Sequence, residues 1–109
     1  MNYTQLIHKA EDYIEMHLDE PIRLAPLAKH IGVSSYHFHR IFKMHSQETL
    51  QQYISRVKME RAGIYLYVHQ SVTITEMAQN YGYADASAFN KAFRRHFGMS
   101  PTQFRKRKI

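Results

Sequence analysis

Ser34–Lys43 reads SSYHFHRIFK, two histidines, a tyrosine and two basic residues set among three large apolar ones. Three chemistries are open to it: metal ligation, ordinary core, or a surface that touches a partner. Metal is the weakest. Two ligands on one helix face need a spacing of three or four, and no two of the eight histidines have it. His37 and His39 differ by two positions, roughly 200° apart on a helix. There is no cysteine, so thiolate sites and disulfides are excluded and a reducing cytoplasm is permitted. No metal site is expected. His45 and His96 are expected to border the core, and His8, His17, His30 and His69 to lie at the surface. No nucleophile motif, phosphate loop or paired carboxylate is visible, so neither a catalytic residue nor a cofactor is expected, and the chain reads as no enzyme.

Core and surface separate when the stretch is wound as a helix at about 100° per residue. Phe38, Ile41, Phe42 and His45 fall in one inward stripe, and Tyr36, His39, Arg40 and Lys43 gather opposite. The arrangement recurs. Leu27, Ala28 and Gly32 match Met77, Ala78 and Gly82 at an offset of 50. Phe38, Arg40, Phe42, Lys43 and His45 match Phe89, Lys91, Phe93, Arg94 and His96 at an offset of 51. Each copy is a short helix, a glycine turn and a second helix, the helix-turn-helix pattern. The second copy carries one extra residue in its turn. The outward set maps onto Ser87, Asn90, Lys91 and Arg94, again opposite an apolar stripe of Phe89, Ala92 and Phe93.

Neither outward face carries an acid, whereas an ordinary solvated face mixes signs. The residue types suit base reading. Arg40 and Lys91 can reach guanine O6 and N7, and Asn90 can pair with adenine. His39 can donate to guanine or phosphate, and Tyr36 can pack on a thymine methyl or a sugar. Ala86 and Ser87 are small enough for close approach. Ser35, Lys43, Arg94 and Arg95 are expected at phosphates, which position a protein on DNA without reading it.

The elements that must hold these faces are all helical. The chain has 109 residues and is 44% apolar, enough for one domain with a modest core and little volume for a ligand pocket. Its net charge of +6 favours a polyanionic partner. The apolar period predicts helices over about Tyr3–His17, Leu24–His30, Ser35–His45, Glu48–Tyr67, Thr73 to Gly82, Asp85–Phe97 and a short one from Pro101. Arg23 is a poor helix cap, and Pro26 is tolerable because it falls in the first turn. Thr73 to Glu76 has capping-box spacing. The fold expected is all-α, with seven helices: a first helix-turn-helix unit over about 3–46, a linking helix over about 48–68, and a second unit over about 73–105, within one domain, 1–109. A helix of about 20 residues spans about 30 Å, close to the ~34 Å between successive major-groove faces. One monomer could thus serve two groove segments.

At these residues the chain resembles the DNA-binding domain of AraC/XylS-type transcription regulators. The resemblance rests on IGVSSYHFHRIFK and on ITEMAQNYGYADASAFNKAFRRHFGMSPTQFR, and covers essentially the whole chain. It implies seven helices, double-stranded promoter DNA as ligand, and activation through contact with RNA polymerase. It carries base contacts onto Tyr36, His39 and Arg40 in the first unit and Ala86, Ser87, Asn90 and Lys91 in the second. The chain departs from the family at Arg23 and Pro26, which replace the usual polar helix start, and at Ala86 and Ala88, which are plainer than in many members. Members commonly add a sensor domain for a small effector. None is visible here, so the chain is expected to be a stand-alone regulator or an excised part of one.

Two other readings compete. The basic faces could bind an acidic protein partner. The tail Arg105, Lys106, Arg107, Lys108 could meet anionic lipid, but it lacks an apolar face and is expected to be a solvated end. No run approaches the ~18 apolar residues of a membrane span, and MNYTQLIHKAEDY has no signal-peptide core. A cytoplasmic, monomeric domain is expected.

Overall fold

Capping residues and glycines punctuate the chain where its apolar period breaks, and in the computed structural model, which describes residues 2–107, helices occupy the stretches between them. They are α1 (Tyr3–Met16), α2 (Leu24–Ile31), α3 (Ser35–His45), α4 (Leu50–Val68), α5 (Ile74–Asn80), α6 (Ala86–Phe97) and α7 (Pro101–Lys106). No strand occurs among the described residues.

The starts follow the caps. The Ser34 hydroxyl accepts from the His37 amide at 3.0 Å, and Asp85 Oδ1 accepts from Ala88 at 2.8 Å. Each satisfies a backbone donor that the first helical turn leaves unpaired. Ser100 and Gln103 form a full reciprocal box ahead of Pro101, and Asn2 and Gln5 form another at α1. Thr73 accepts from the Glu76 amide at 3.1 Å, but the return arm from the Glu76 side chain is absent, so the expected box is half made. α4 begins two residues later than its apolar period suggests, because Thr49 and Gln52 cap each other at 3.1 and 2.8 Å. Arg23 gives α2 no side-chain cap.

The chain divides into two compact units, Met1–Ile54 and Ser55–Ile109, and the division falls inside α4. Unit 1 packs Leu6, Ala10 and Ile14 of α1 against Leu27 and Ile31 of α2, Phe38 and Phe42 of α3, and Tyr53 and Ile54. Unit 2 packs Met59, Ala62 and Leu66 against Met77, Ala78, Phe89, Phe93 and Pro101. Ile64 of α4 is 64% exposed, since it lies well off the stripe of Met59, Ala62 and Leu66. His45 is exposed at the last turn of α3, where its ring rests 4.8 Å from that of Tyr3 rather than in the core.

Both helix-turn-helix units close with the same hydrogen bond. The Val33 amide donates to the Ala28 carbonyl at 3.0 Å, and the Tyr83 amide to the Ala78 carbonyl at 2.8 Å. Between them Gly32 (φ 92°) and Gly82 (φ 74°) take the left-handed conformation that closes a helix at little steric cost. Ala28 and Ala78 are both about fully buried, which lets the two helices of each unit approach closely. The extra residue of the second copy is Ala84, placed after this shared turn and before the Asp85 cap.

Gly63 was invisible to the period reading. A Cβ there would lie 2.8 Å from Phe97 Cζ, and Phe97 is itself packed against Phe93 and Phe104, at centroid distances of 4.5 and 4.9 Å. Close approach of α4 to this aromatic cluster therefore requires glycine. Gly63→Val should lower stability by about 1–3 kcal/mol through overpacking. Gly63→Ala should lower it less, because alanine recovers about 1 kcal/mol of helix propensity. Urea midpoints check both, and a Gly63→Val protein as stable as the parent would contradict the packing.

Candidate nucleic-acid interface

Burial of two phenylalanines fixes the rotation of α3. With Phe38 at 0% and Phe42 at 3% exposure, Tyr36 (75%), His39, Arg40 and Lys43 stand outward together. In unit 2, Phe89 and Phe93 are fully buried and Ser87, Lys91, Arg94 and Arg95 are exposed. Ser35, Ala86 and Asn90 are half-buried at the edge of their faces. The structure thus brings Tyr36, His39, Arg40 and Lys43 onto one surface of unit 1. It brings Ser87, Lys91, Arg94 and Arg95, with Asn90 beside them, onto one surface of unit 2.

The electrostatics are simple. No acid lies on α3 or α6. Arg40, Lys43, Lys91, Arg94 and Arg95 make no ion pair with another described residue. Five cations left without internal partners can each meet a phosphate, and desolvating them is offset only by such a partner.

Some features escaped the sequence. Met44 (68% exposed) and His37 flank the α3 face, and helical angle alone could have placed them there. A surface groove of about 440 Å³ runs beside the same face, with His39, Phe42, Lys43, Glu48 and Thr49 among its walls. The sequence suggested little room for a pocket; this one is made by helix ends and a loop at the surface, not from core volume. Lys58 is the largest surprise. It is only 5% exposed, and its Nζ donates to the Tyr81 carbonyl at 2.9 Å and sits 5.7 Å from the Tyr83 ring. Within the run Arg56-Val57-Lys58-Met59-Glu60-Arg61 it is the cation on the ladder Ile54, Lys58, Ala62 and Leu66, spaced by fours, so helical angle could have placed it inward.

The remaining expectations are mixed. His96 is exposed, with its ring edge-on to Phe97 at 4.5 Å. His8, His30 and His69 are exposed and His17 half-buried. Arg105 departs from the solvated tail: it is half-buried and donates to the Val72 carbonyl. Lys106 and Arg107 are exposed, and Lys108 lies outside the described residues. Among the described residues no three histidines or acids gather as metal ligands, and no helix is long and apolar enough to cross a membrane.

Tyr83 links the second turn to α4. Burial raises its phenol above the ordinary value near 10, and a hydrogen bond with the Ser55 side chain opposes that rise. Its ring meets Phe89 of α6 edge-on at 5.6 Å.

The chain is similar in sequence and fold to known proteins. A family profile described as a helix-turn-helix domain matches residues 27–107. The Msm operon regulatory protein of Streptococcus mutans is 30% identical over 100 residues, covering 92% of this chain but 36% of that protein. The regulatory protein SoxS of Salmonella typhimurium is 29% identical over 107 residues, covering 98% of this chain and 99% of that one. The chain therefore spans about a third of the first relative and nearly all of the second. A transcriptional regulator of Chromobacterium violaceum, described by its AraC-type DNA-binding domain, superposes with a TM-score of 0.85 over 94% of this chain and 90% of that one. At 24% identity the two share the fold.

The raised Tyr83 pKa sets a pH dependence. The folded state favours the neutral phenol, so its contribution is full below about pH 10 and is lost as pH rises past 10 and through the folded value. Urea midpoints taken from pH 8 to 11 should fall at the alkaline end, and fall less steeply for Tyr83→Phe. Equal slopes for the two proteins would contradict the burial of this hydroxyl.

Proposed function

The chain belongs to the AraC-type helix-turn-helix family, and on that premise we propose that it is a sequence-specific regulator of transcription that binds double-stranded DNA through α3 and α6. The observation that carries the reading is the pair of acid-free outward faces at equivalent positions of two repeated units, each holding cations without internal partners. A phosphate backbone supplies the missing partners, and a helix projecting Arg, Lys and Asn side chains supplies donors for base edges in the major groove.

In this reading Tyr36, His39 and Arg40 contact bases in unit 1, and Ala86, Ser87, Asn90 and Lys91 contact them in unit 2. Ser35, Lys43, Arg94 and Arg95 hold phosphates. In this reading α3 and α6 each enter the major groove, in neighbouring segments of one site. Small side chains at Ala86 and Ser87 give unit 2 fewer base-reading groups than unit 1, so unit 1 carries more of the sequence preference. The protein acts as an activator that contacts RNA polymerase, works in the cytoplasm, and binds as a monomer through this domain. Binding to an acidic protein instead draws no support from the relatives, which are regulatory proteins by name.

Selection of duplexes from a random pool at fixed salt tests the reading. Two enriched motifs about one helical turn apart are expected, and no enrichment at all would reject it. Arg40→Ala should cost roughly 1–3 kcal/mol on the selected duplex and relax preference at one base pair. Lys43→Ala should weaken all duplexes alike and reduce the slope of log K against log salt by about 1. An Arg40→Ala protein with unchanged affinity and preference would remove α3 from base reading.

A further inference from the structure

Unit 2 differs from unit 1 in how its turn is held. The residue that ends α5 is Tyr81, and its carbonyl accepts from Lys58 Nζ at 2.9 Å. One turn of α4 earlier, Ser55 bonds the Tyr83 hydroxyl. The Tyr83 ring in turn meets Phe89, the residue whose burial sets the rotation of α6. Two side chains of α4 thus grip Tyr81 and Tyr83 on either side of Gly82. At the matching positions unit 1 has Ile31 and Val33, and among the described residues no side chain donates to the Ile31 carbonyl. An ammonium taken out of water is costly unless its donors are met. Here it meets a carbonyl at a helix C-terminus, where backbone carbonyls lack helical partners and the helix dipole favours a cation.

We propose that Lys58 is a positioning residue for DNA recognition by unit 2: its buried ammonium fixes the α5–α6 turn and so aims α6, a dependence that unit 1 does not share. The proposal rests on the DNA-binding reading above. It makes the two readers separable. Loss of Lys58 disables one half of the footprint and leaves the other.

The test is a hydroxyl-radical footprint and a titration on the duplex that the parent protein selects. The segments belonging to each unit are first assigned from the base pairs at which Arg40→Ala and Lys91→Ala change preference. Lys58→Met keeps the apolar stem and removes the ammonium. At a temperature where circular dichroism shows it folded, it should keep the Arg40 segment and lose protection over the Lys91 segment. Affinity should drop roughly tenfold to a hundredfold, as expected for losing a buried hydrogen bond from a charged donor, with a shallower salt dependence. Lys58→Arg, which retains a cation and donors, should recover part of the lost protection. An unchanged footprint for Lys58→Met overturns the proposal, and so does equal weakening of both segments, which would mean a general loss of structure. If Lys58→Met does not fold, Ser55→Ala takes its place: the same one-sided loss supports the proposal, and an intact footprint overturns it. Failure of the parent protein to select any duplex would reject the DNA-binding reading itself.

Discussion

Burial of a phenylalanine pair on each second helix governs everything else in this protein. Phe38 and Phe42 lie 5.8 Å apart on α3, and Phe89 and Phe93 lie 5.8 Å apart on α6. Removing each such ring from water is worth roughly 1.5–3 kcal/mol. A helix so anchored cannot rotate without exposing the pair. Whatever lies opposite is then presented outward, which is how Arg40 and Lys91 come to be offered rather than hidden. The outward surface is in this sense a by-product of the core: the inward stripe fixes its orientation, and the absence of acids fixes its sign.

Each unit solves the remaining problem, the tilt of the second helix against the first, with a glycine turn closed on an alanine carbonyl. The braces behind the turn differ. In unit 1 the bracing helix is α1, whose Leu6, Ala10 and Ile14 supply apolar contact. In unit 2 the brace includes α4, through Lys58 and Ser55. Hydrophobic contact is non-directional, so it tolerates some sliding. A hydrogen bond from a charged donor is directional and short. Duplication of a helix-turn-helix unit therefore did not duplicate the means of holding it.

Much of this was legible in the chain. The helices, the repeat, the caps at Ser34 and Asp85 and the glycine turns all depend on local rules: a period of 3.6, a side-chain oxygen ahead of a helix, a glycine behind one. Such rules act over a few residues and are written in order. Even the misreading was local. His45 was assigned inward by angle, although α3 ends there and the core does not extend beneath it.

The sequence by itself determined which residue types share a helix face, and hence the acid-free outward sets on α3 and α6, because helical geometry converts spacing into direction. Tertiary structure alone decided which carbonyl the buried cation meets, which glycine is an approach point and which arginine leaves the tail. Lys58, Gly63 and Arg105 sit among similar neighbours in the chain. Their roles come from partners 23, 34 and 33 positions away, and no local period records what will lie across a packed interface. So SSYHFHRIFK could be read from the chain as a face; how its counterpart on α6 is held could be read only from the fold.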